Sequence, residues 1–422
     1  MPDDDLIDLD ITGVAHGGVF VGRHEGRVVF VPDAIPGERV RVRLTDTGKS
    51  SFWRGEAVEI LDASPHRRPH VWRQADVDVR PEDRPGGADF GHIDLAHQRE
   101  LKLQVLADSL QRIGGLRLDT AIAPAAPDET ADGTRWRTRV SLHVDEHGRV
   151  GPFAARSHRV IEVSEHPLAT DAVEQAALRL ATVKPGRVDL VQPSDGRVRV
   201  IPRPDSRRRP APRNHEAREV VVERVDGREF RVDAGGFWQV HRLAARALTD
   251  LVSAKLAEGG VDPDAWNLDL YGGVGLFAAT LGAHGGPKTR LTSVESDSRA
   301  TEHAGENLAE WVGARAETAR VDRWLTHTRS AASAHDRERL SRGVVILDPP
   351  RSGAGREVVE SVLDLAPERV VYVACDPVAL ARDLAVFRDG GYATARVDAL
   401  DLFPNSHHVE AVAVLTKEGS PR

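Results

Sequence analysis

The chain has 422 residues and a single cysteine. One cysteine excludes an internal disulfide and any zinc or iron–sulfur site built from several thiolates. Long apolar runs are also missing. None approaches the roughly 18 residues that a membrane helix needs. The first ten residues, MPDDDLIDLD, are acidic and contain no apolar segment of a secretory leader. A cytoplasmic protein without a membrane partner is therefore expected. No G-x-x-x-x-G-K-[ST] loop occurs, which disfavours nucleoside-triphosphate chemistry. The formal charge of −8 gives no general attraction to nucleic acid. Such binding depends on where cations cluster, so net charge is a weak test.

What remains is an ordinary composition, with 40% hydrophobic and 29% charged residues. At this length two or three domains are expected. Residues 6–61 contain five runs that alternate apolar and polar side chains. The runs are separated by Gly, Pro and Asp, as at His16-Gly17-Gly18 and Pro36-Gly37. Five short strands in this span suggest a small closed barrel of the oligonucleotide-binding type. Its strands carry Arg23, Arg27, Arg39, Arg41, Arg43 and Arg54, which favour RNA; a barrel that holds another partner or only caps the fold is the alternative.

Residues 62–92 lack periodicity and read as irregular. Residues 94–113 have helical spacing and stop at Gly114-Gly115. Strand-like runs return between 135 and 201, interrupted by a helix near 170–182. Residues 197–218 hold eight arginines against one Asp and one Glu. That run is either a solvated loop or a track for phosphates. From about 241 helices alternate with the strand-like runs NLDLY, RLTSVE, GVVILD and RVVYVACD. This is the rhythm of an α/β doubly wound sheet, with ligands beyond the carboxyl ends of its strands.

The first of these strands runs into Gly272-Gly273-Val274-Gly275-Leu276-Phe277-Ala278, and Glu295 follows Gly275 by 20 residues. A glycine turn admits a ligand close to the backbone, and an acid at that spacing can accept both hydroxyls of a ribose. The pattern suits any adenosine-containing cofactor, nicotinamide dinucleotides included. Three more segments sit at strand ends: Asp348-Pro349-Pro350-Arg351-Ser352-Gly353, Val373-Ala374-Cys375-Asp376-Pro377, and Phe403-Pro404-Asn405-Ser406-His407-His408-Val409-Glu410. Singly, each has a structural reading; a lone cysteine is commonly a small buried hydrophobe. Together they place a thiol, carboxylates and an arginine at one edge of the sheet.

The blocks DLYGGVG, DPPRSG, YVACDPVALARD and FPNSHHVE resemble the RNA uracil-5 methyltransferase family. The N-terminal GVAHGGVFVGRHEGRVVFVPDAIPGERV resembles the TRAM barrel that many members carry. The resemblance implies three units: a TRAM barrel over 1–62, a central α+β domain over 63–240, and a Rossmann-like class I methyltransferase domain over 241–422. It implies S-adenosylmethionine as cofactor and a uridine of 23S ribosomal or transfer RNA as target. Cys375 maps to the nucleophile and Glu410 to the base; Gln239, Tyr271, Glu295 and Asp348 map to cofactor contacts. A monomer without an obligate protein partner is expected.

The chain departs from the family at Asp376, Gly272 and His241, where the family has Asn, often Cys, and Asn. A carboxylate at 376 should disfavour the Cys375 thiolate, so a compensating cation such as Arg351 is expected. Many members bind a four-iron cluster near the barrel junction; here HVWRQADVDVRPEDRPGGADFGHI has no cysteine, so this region should hold by packing alone. Two other classes compete: a nicotinamide-dependent oxidoreductase, and a non-catalytic RNA-binding protein on a degenerate methyltransferase fold.

Overall fold

The computed structural model describes residues 6–125, 130–180, 184–205 and 215–417. Strands β1 (Leu6–Ala15), β2 (Val19–His24), β3 (Arg27–Val31), β4 (Arg39–Asp46) and β5 (Phe52–Asp62) close into a barrel in the order β1-β2-β3-β5-β4. Period-two alternation explains its filling. On β4, Val40 and Val42 point inward, joining Leu9, Ile11, Phe20, Val29 and Val31 in one core. The intervening Arg39, Arg41 and Arg43 face out and pair with Asp8, Glu59, Glu56 and Glu82.

Beyond the barrel the chain is irregular, and packing alone does not hold it. The Arg84 side chain is 2% exposed and donates to the carbonyls of Val79, Ala57 and Val77. It also pairs with Asp33 of the barrel at 2.8 Å. A buried guanidinium thus satisfies the carbonyls of Val77 and Val79 in the irregular stretch, together with one carbonyl of β5.

Helix α1 (Leu95–Arg112) is capped by Asp94, and β6 (Thr120–Pro124) follows. Next come β7 (Arg139–Val144), β8 (Val150–Gly151), α2 (Asp171–Leu178), β9 (Gly186–Val191) and β10 (Arg199–Pro204). The four strands form an antiparallel sheet, β10-β9-β7-β8. A hairpin of β11 (Val220–Val225) and β12 (Arg228–Asp233) turns at Asp226-Gly227, both at positive φ.

The last part contains α3 (Ala244–Ala257), β13 (Asn267–Leu270), α4 (Leu276–Gly285), β14 (Leu291–Glu295), α5 (Ser298–Asn307) and β15 (Ala314–Thr318). It continues with α6 (Val321–Ala331), α7 (Ala334–Ser341), β16 (Val344–Leu347), α8 (Arg356–Leu365) and β17 (Arg369–Ala374). Helix α9 (Pro377–Asp389), β18 (Tyr392–Asp401) and β19 (Glu410–Lys417) complete it. The eight-stranded sheet runs β15-β14-β13-β16-β17-β19-β18-β6. Its continuous apolar strands are explained by cover on both faces. Val345 and Leu347 pack with α1, α6, α8 and α9, whereas Val344 and Ile346 pack with α3, α4 and α5. The parallel strands leave β13 in both directions, which opens a crevice beyond their carboxyl ends.

Residues before 240 also contribute to this sheet. Strand β6 pairs in parallel with β18, and α1 packs on α9. Lys102 and Arg99 of α1 both reach Asp401 at the end of β18. The Lys102–Asp401 pair is fully buried, at 2.5 Å.

Candidate active site

Register places the site residues before any side chain is considered. On the parallel strands, Leu270 stands beside Val294 and Leu347, and Leu347 beside Tyr372. On the antiparallel pair, Ala374 stands beside Ala411. Tyr271, Glu295, Asp348, Cys375 and Glu410 therefore occupy neighbouring strand ends. In sheet order they run Glu295, Tyr271, Asp348, Cys375, Glu410. At about 4.8 Å per strand the row spans about 19 Å. All five, with Gln239, line one cavity of about 1060 Å³.

At one end of the row the Glu295 carboxylate accepts from the backbone N–H of Asp297 (2.8 Å) and Gly273 (3.2 Å) and from the Ser296 hydroxyl (3.0 Å). Tyr271, Gly273 and Gly275 all take positive φ, which gives the turn its shape. Chain neighbours aside, no atom of the described residues lies within 4 Å of where a Cβ on Gly273 would sit. Beneath the turn Asp269 accepts from the N–H of Ala278, and its other oxygen is buried without a partner among the described residues. Burial pushes both Asp269 and Asp348 up to about 7; Asp269 adds to the effect on Asp348.

At the other end, burial pushes the Cys375 thiol up to about 12, with Glu410 and Asp348 adding and Arg351 opposing. Glu410 is raised well above the usual carboxylate range, by burial first and by Asp348 second. Five arginines line the same cavity, Arg351 and Arg137 among them. His408 is pushed down to about 3 by burial, His407 and Arg351, and so is neutral.

Two loops are held from behind. Asp383 of α9 accepts from the N–H groups of Ala354 and Gly355 and from the Tyr372 hydroxyl. That ties down the turn carrying Asp348 and Arg351. Gln98 and Arg68 hold Asn405, and Asn405 itself takes positive φ at 66°. That shapes the loop delivering Glu410.

Residues 6–58 match the TRAM domain, and residues 328–418 match the family tRNA (Uracil-5-)-methyltransferase. The chain is 38% identical over 438 residues to an uncharacterized RNA methyltransferase of Streptomyces avermitilis, covering 97% of each protein. The chain belongs to the RNA uracil-5 methyltransferase family. A similar RNA methyltransferase from Bifidobacterium longum is 34% identical over 97% of this chain and 96% of its own length. In fold the chain matches the crystal structure of Pyrococcus abyssi tRNA (uracil-54, C5)-methyltransferase, solved in complex with S-adenosyl-L-homocysteine. That match has a TM-score of 0.68 at 21% identity and covers 97% of this chain and all of the other.

The three departures from the family pattern have local causes. At Gly272 a Cβ would lie 2.0 Å from the Ser293 hydroxyl, so Ser293 fills the space a larger residue would need. His241 is buried, stacks on Trp136 with ring centroids 5.4 Å apart, and accepts from the N–H of Leu243. Asp376 does not act on Cys375 in the way its sequence neighbourhood suggests. One oxygen caps α9 by accepting from Ala379 N–H, and the other meets His16. The carboxylates that raise Cys375 are instead Glu410 and Asp348, and Arg351 is the opposing cation.

Sequence reading missed Arg137, Asp269, Asp383 and His16 as members of this region. Asp269 stands inside DLYGGVG and Asp383 inside ALARD, so both were within the blocks that signal the family. Arg137 and His16 arrive from distant segments and carry no local signature.

Proposed function

We propose that the protein methylates carbon 5 of a uridine in RNA, using S-adenosylmethionine and a transient bond between Cys375 and carbon 6. The observation that carries this reading is the register of β17 on β19. It sets Cys375 and Glu410 side by side, in the cavity that also contains Glu295. The residues fit a nucleoside cofactor with a positive centre. Glu295 would accept the ribose hydroxyls, Gly273 leaves open space beside it, and Gln239, Tyr271 and Asp348 line the path toward Cys375. A dinucleotide would bring a negative pyrophosphate toward an acidic row, which counts against the oxidoreductase alternative.

When bound, S-adenosylmethionine supplies an electrophilic methyl group and a positive charge beside these acids. Cys375 gives up its thiol proton to water, the thiolate adds to carbon 6 of the uracil, and the electron pair of the 5,6 double bond moves toward carbon 5 and the 4-oxygen. Arg351 and Arg137 supply positive charge in the cavity where that enolate develops. Carbon 5, now nucleophilic, would take the methyl group as the methyl–sulfonium bond breaks, leaving a neutral thioether. Glu410, as carboxylate, removes the carbon 5 proton, the Cys375–carbon 6 bond breaks and the double bond returns.

The barrel supports an RNA substrate through two clusters in which cations lie on aromatic rings. Arg27 lies over the Trp53 ring at 4.7 Å, and Lys49 and Arg54 lie over Phe52 at 4.6 and 5.3 Å. Aromatic rings interleaved with cations are what single-stranded RNA stacks on. Arg39, Arg41 and Arg43 are engaged in ion pairs and add less. In the arginine-rich run, Arg199 and Arg203 pair with Asp195, Glu219 and Asp189, while Arg207, Arg208 and Arg209 lie outside the described residues.

The test is transfer of labelled methyl from S-adenosylmethionine to unmodified RNA transcripts, followed by nucleoside digestion. Label in 5-methyluridine is expected; label in another nucleoside, or none, would contradict the proposal. Mapping 5-methyluridine in ribosomal and transfer RNA of a deletion strain assigns the RNA class.

A further inference from the structure

We infer that the N-terminal barrel is part of the catalytic apparatus, with His16 acting as a positioning residue for the loop that carries Cys375. The β1–β2 turn, His16-Gly17-Gly18, does not merely touch the methyltransferase fold. With Cys375, Asp376 and His407 it lines a second, smaller cleft of about 150 Å³ on the nucleophile. His16 Nε2 stands 2.8 Å from one oxygen of Asp376. The other oxygen of that carboxylate accepts from the N–H of Ala379, also at 2.8 Å, and so caps α9. One carboxylate is thus shared between the barrel and the helix that begins two residues after the nucleophile.

The same turn presses on the loop that leads to Glu410. At Gly18, with φ at +74°, a Cβ would stand 2.8 Å from the His407 side chain, so only glycine fits. His407 is in turn bonded to Asp89 through its ring nitrogen and its backbone N–H. A barrel turn that meets Asp376 on one side and His407 on the other touches both approaches to the nucleophile–base pair. RNA held by the barrel would therefore be in register with the site through these two contacts.

The His16–Asp376 link responds to pH. Hydrogen bonding to Asp376 raises His16 above its ordinary value, against the opposing effect of burial. The same bond holds Asp376 below the usual carboxylate range against burial. The ionised pair is complete below the ordinary imidazole value and weakens as pH rises through the raised one. Other charged and titratable groups facing the cleft are Lys102 from α1, Arg351 from the turn after β16, and His407 and His408 from the loop before β19. Lys102 is bound to Asp401, and His407 to Asp89.

The inference rests on the proposed methyl transfer for its kinetic readout and has a second readout that does not. His16→Gln keeps an N–H donor that does not titrate. The ratio of wild-type to His16→Gln methyl-transfer kcat should fall as pH rises above the ordinary imidazole range. The ratio cancels the ionisation of Cys375 and Glu410. His16→Ala should lower kcat about two- to fivefold, the worth of a half-exposed ion pair, with the KM for S-adenosylmethionine unchanged. In an Asp376→Asn background the same substitution should change much less. Independently, hydrogen exchange at the Ala379 amide should quicken in His16→Ala, while amides of β13 and β16 stay as in the wild type. Equal effects of His16→Ala in both backgrounds, a flat ratio, or unchanged exchange at Ala379 would overturn the inference. Failure of the wild type to methylate any RNA would overturn the proposed function instead, and Ala379 exchange would still decide the role of His16.

Discussion

Because Cys375 is the only cysteine in the chain, its ionisation can be read without ambiguity by thiol chemistry. The thiol is pushed up to about 12 by burial, then by Glu410 and Asp348. At pH 8 about one molecule in ten thousand carries the thiolate, against about one in ten for an ordinary thiol near 9. That is a deficit of about a thousandfold. A more basic thiolate is also a better nucleophile; with a Brønsted slope of about 0.4–0.5, this recovers about twentyfold. Reaction with dithiodipyridine, a small neutral disulfide, should therefore be about fiftyfold slower than for a free peptide thiol. Glu410→Gln removes a group that raises the thiol and should quicken the reaction. Arg351→Ala removes the cation that lowers it and should slow the reaction further. A wild-type rate equal to that of the free thiol, or a slower Glu410→Gln, would refute this electrostatic account of the site.

Three further outcomes follow from single contacts. Arg84→Ala should destabilise the fold by about 3–5 kcal/mol in denaturant titration, because it leaves Asp33 and three carbonyls without their partner; a loss under about 1 kcal/mol would show that this region holds without it. Glu295→Ala should weaken S-adenosylmethionine binding by about 1.5–3 kcal/mol in calorimetry, the worth of a charge-assisted hydrogen bond; unchanged affinity would remove Glu295 from the site. Gly272→Cys should lower the melting temperature by displacing Ser293, and Ser293→Gly in the same chain should restore it; a lack of rescue would mean the clash lies elsewhere.

How much of this was legible in the sequence varies with the range of the interaction. Barrel strands announce themselves through alternation, as in β4, where valines point in and arginines out. The glycine turn, Glu295 and the three strand-end blocks were legible because each is local. The β11–β12 hairpin also carries a strong local signal, Asp226-Gly227 between alternating apolar residues. Strand β6 could not be read, because TAIAP is short and its partner β18 lies far along the chain. The same limit hid the roles of Arg84 and Asp376. A charged residue in an irregular stretch reads as solvated until the structure shows Arg84 surrounded by carbonyls. Asp376 reads as a neighbour of Cys375 until its oxygens are seen to face Ala379 and His16.

The most direct test of the central claim is the fate of RNA on Glu410→Gln. In the proposed mechanism Cys375 acts before the methyl group moves, and Glu410 acts after it. Incubated with unmodified RNA and labelled S-adenosylmethionine, Glu410→Gln should transfer one methyl group and stall. The methylated RNA should stay bonded to Cys375 through denaturing electrophoresis, and Cys375→Ala should give neither band nor 5-methyluridine. Product formed by Cys375→Ala, or normal turnover by Glu410→Gln, would contradict the assignment of nucleophile and base.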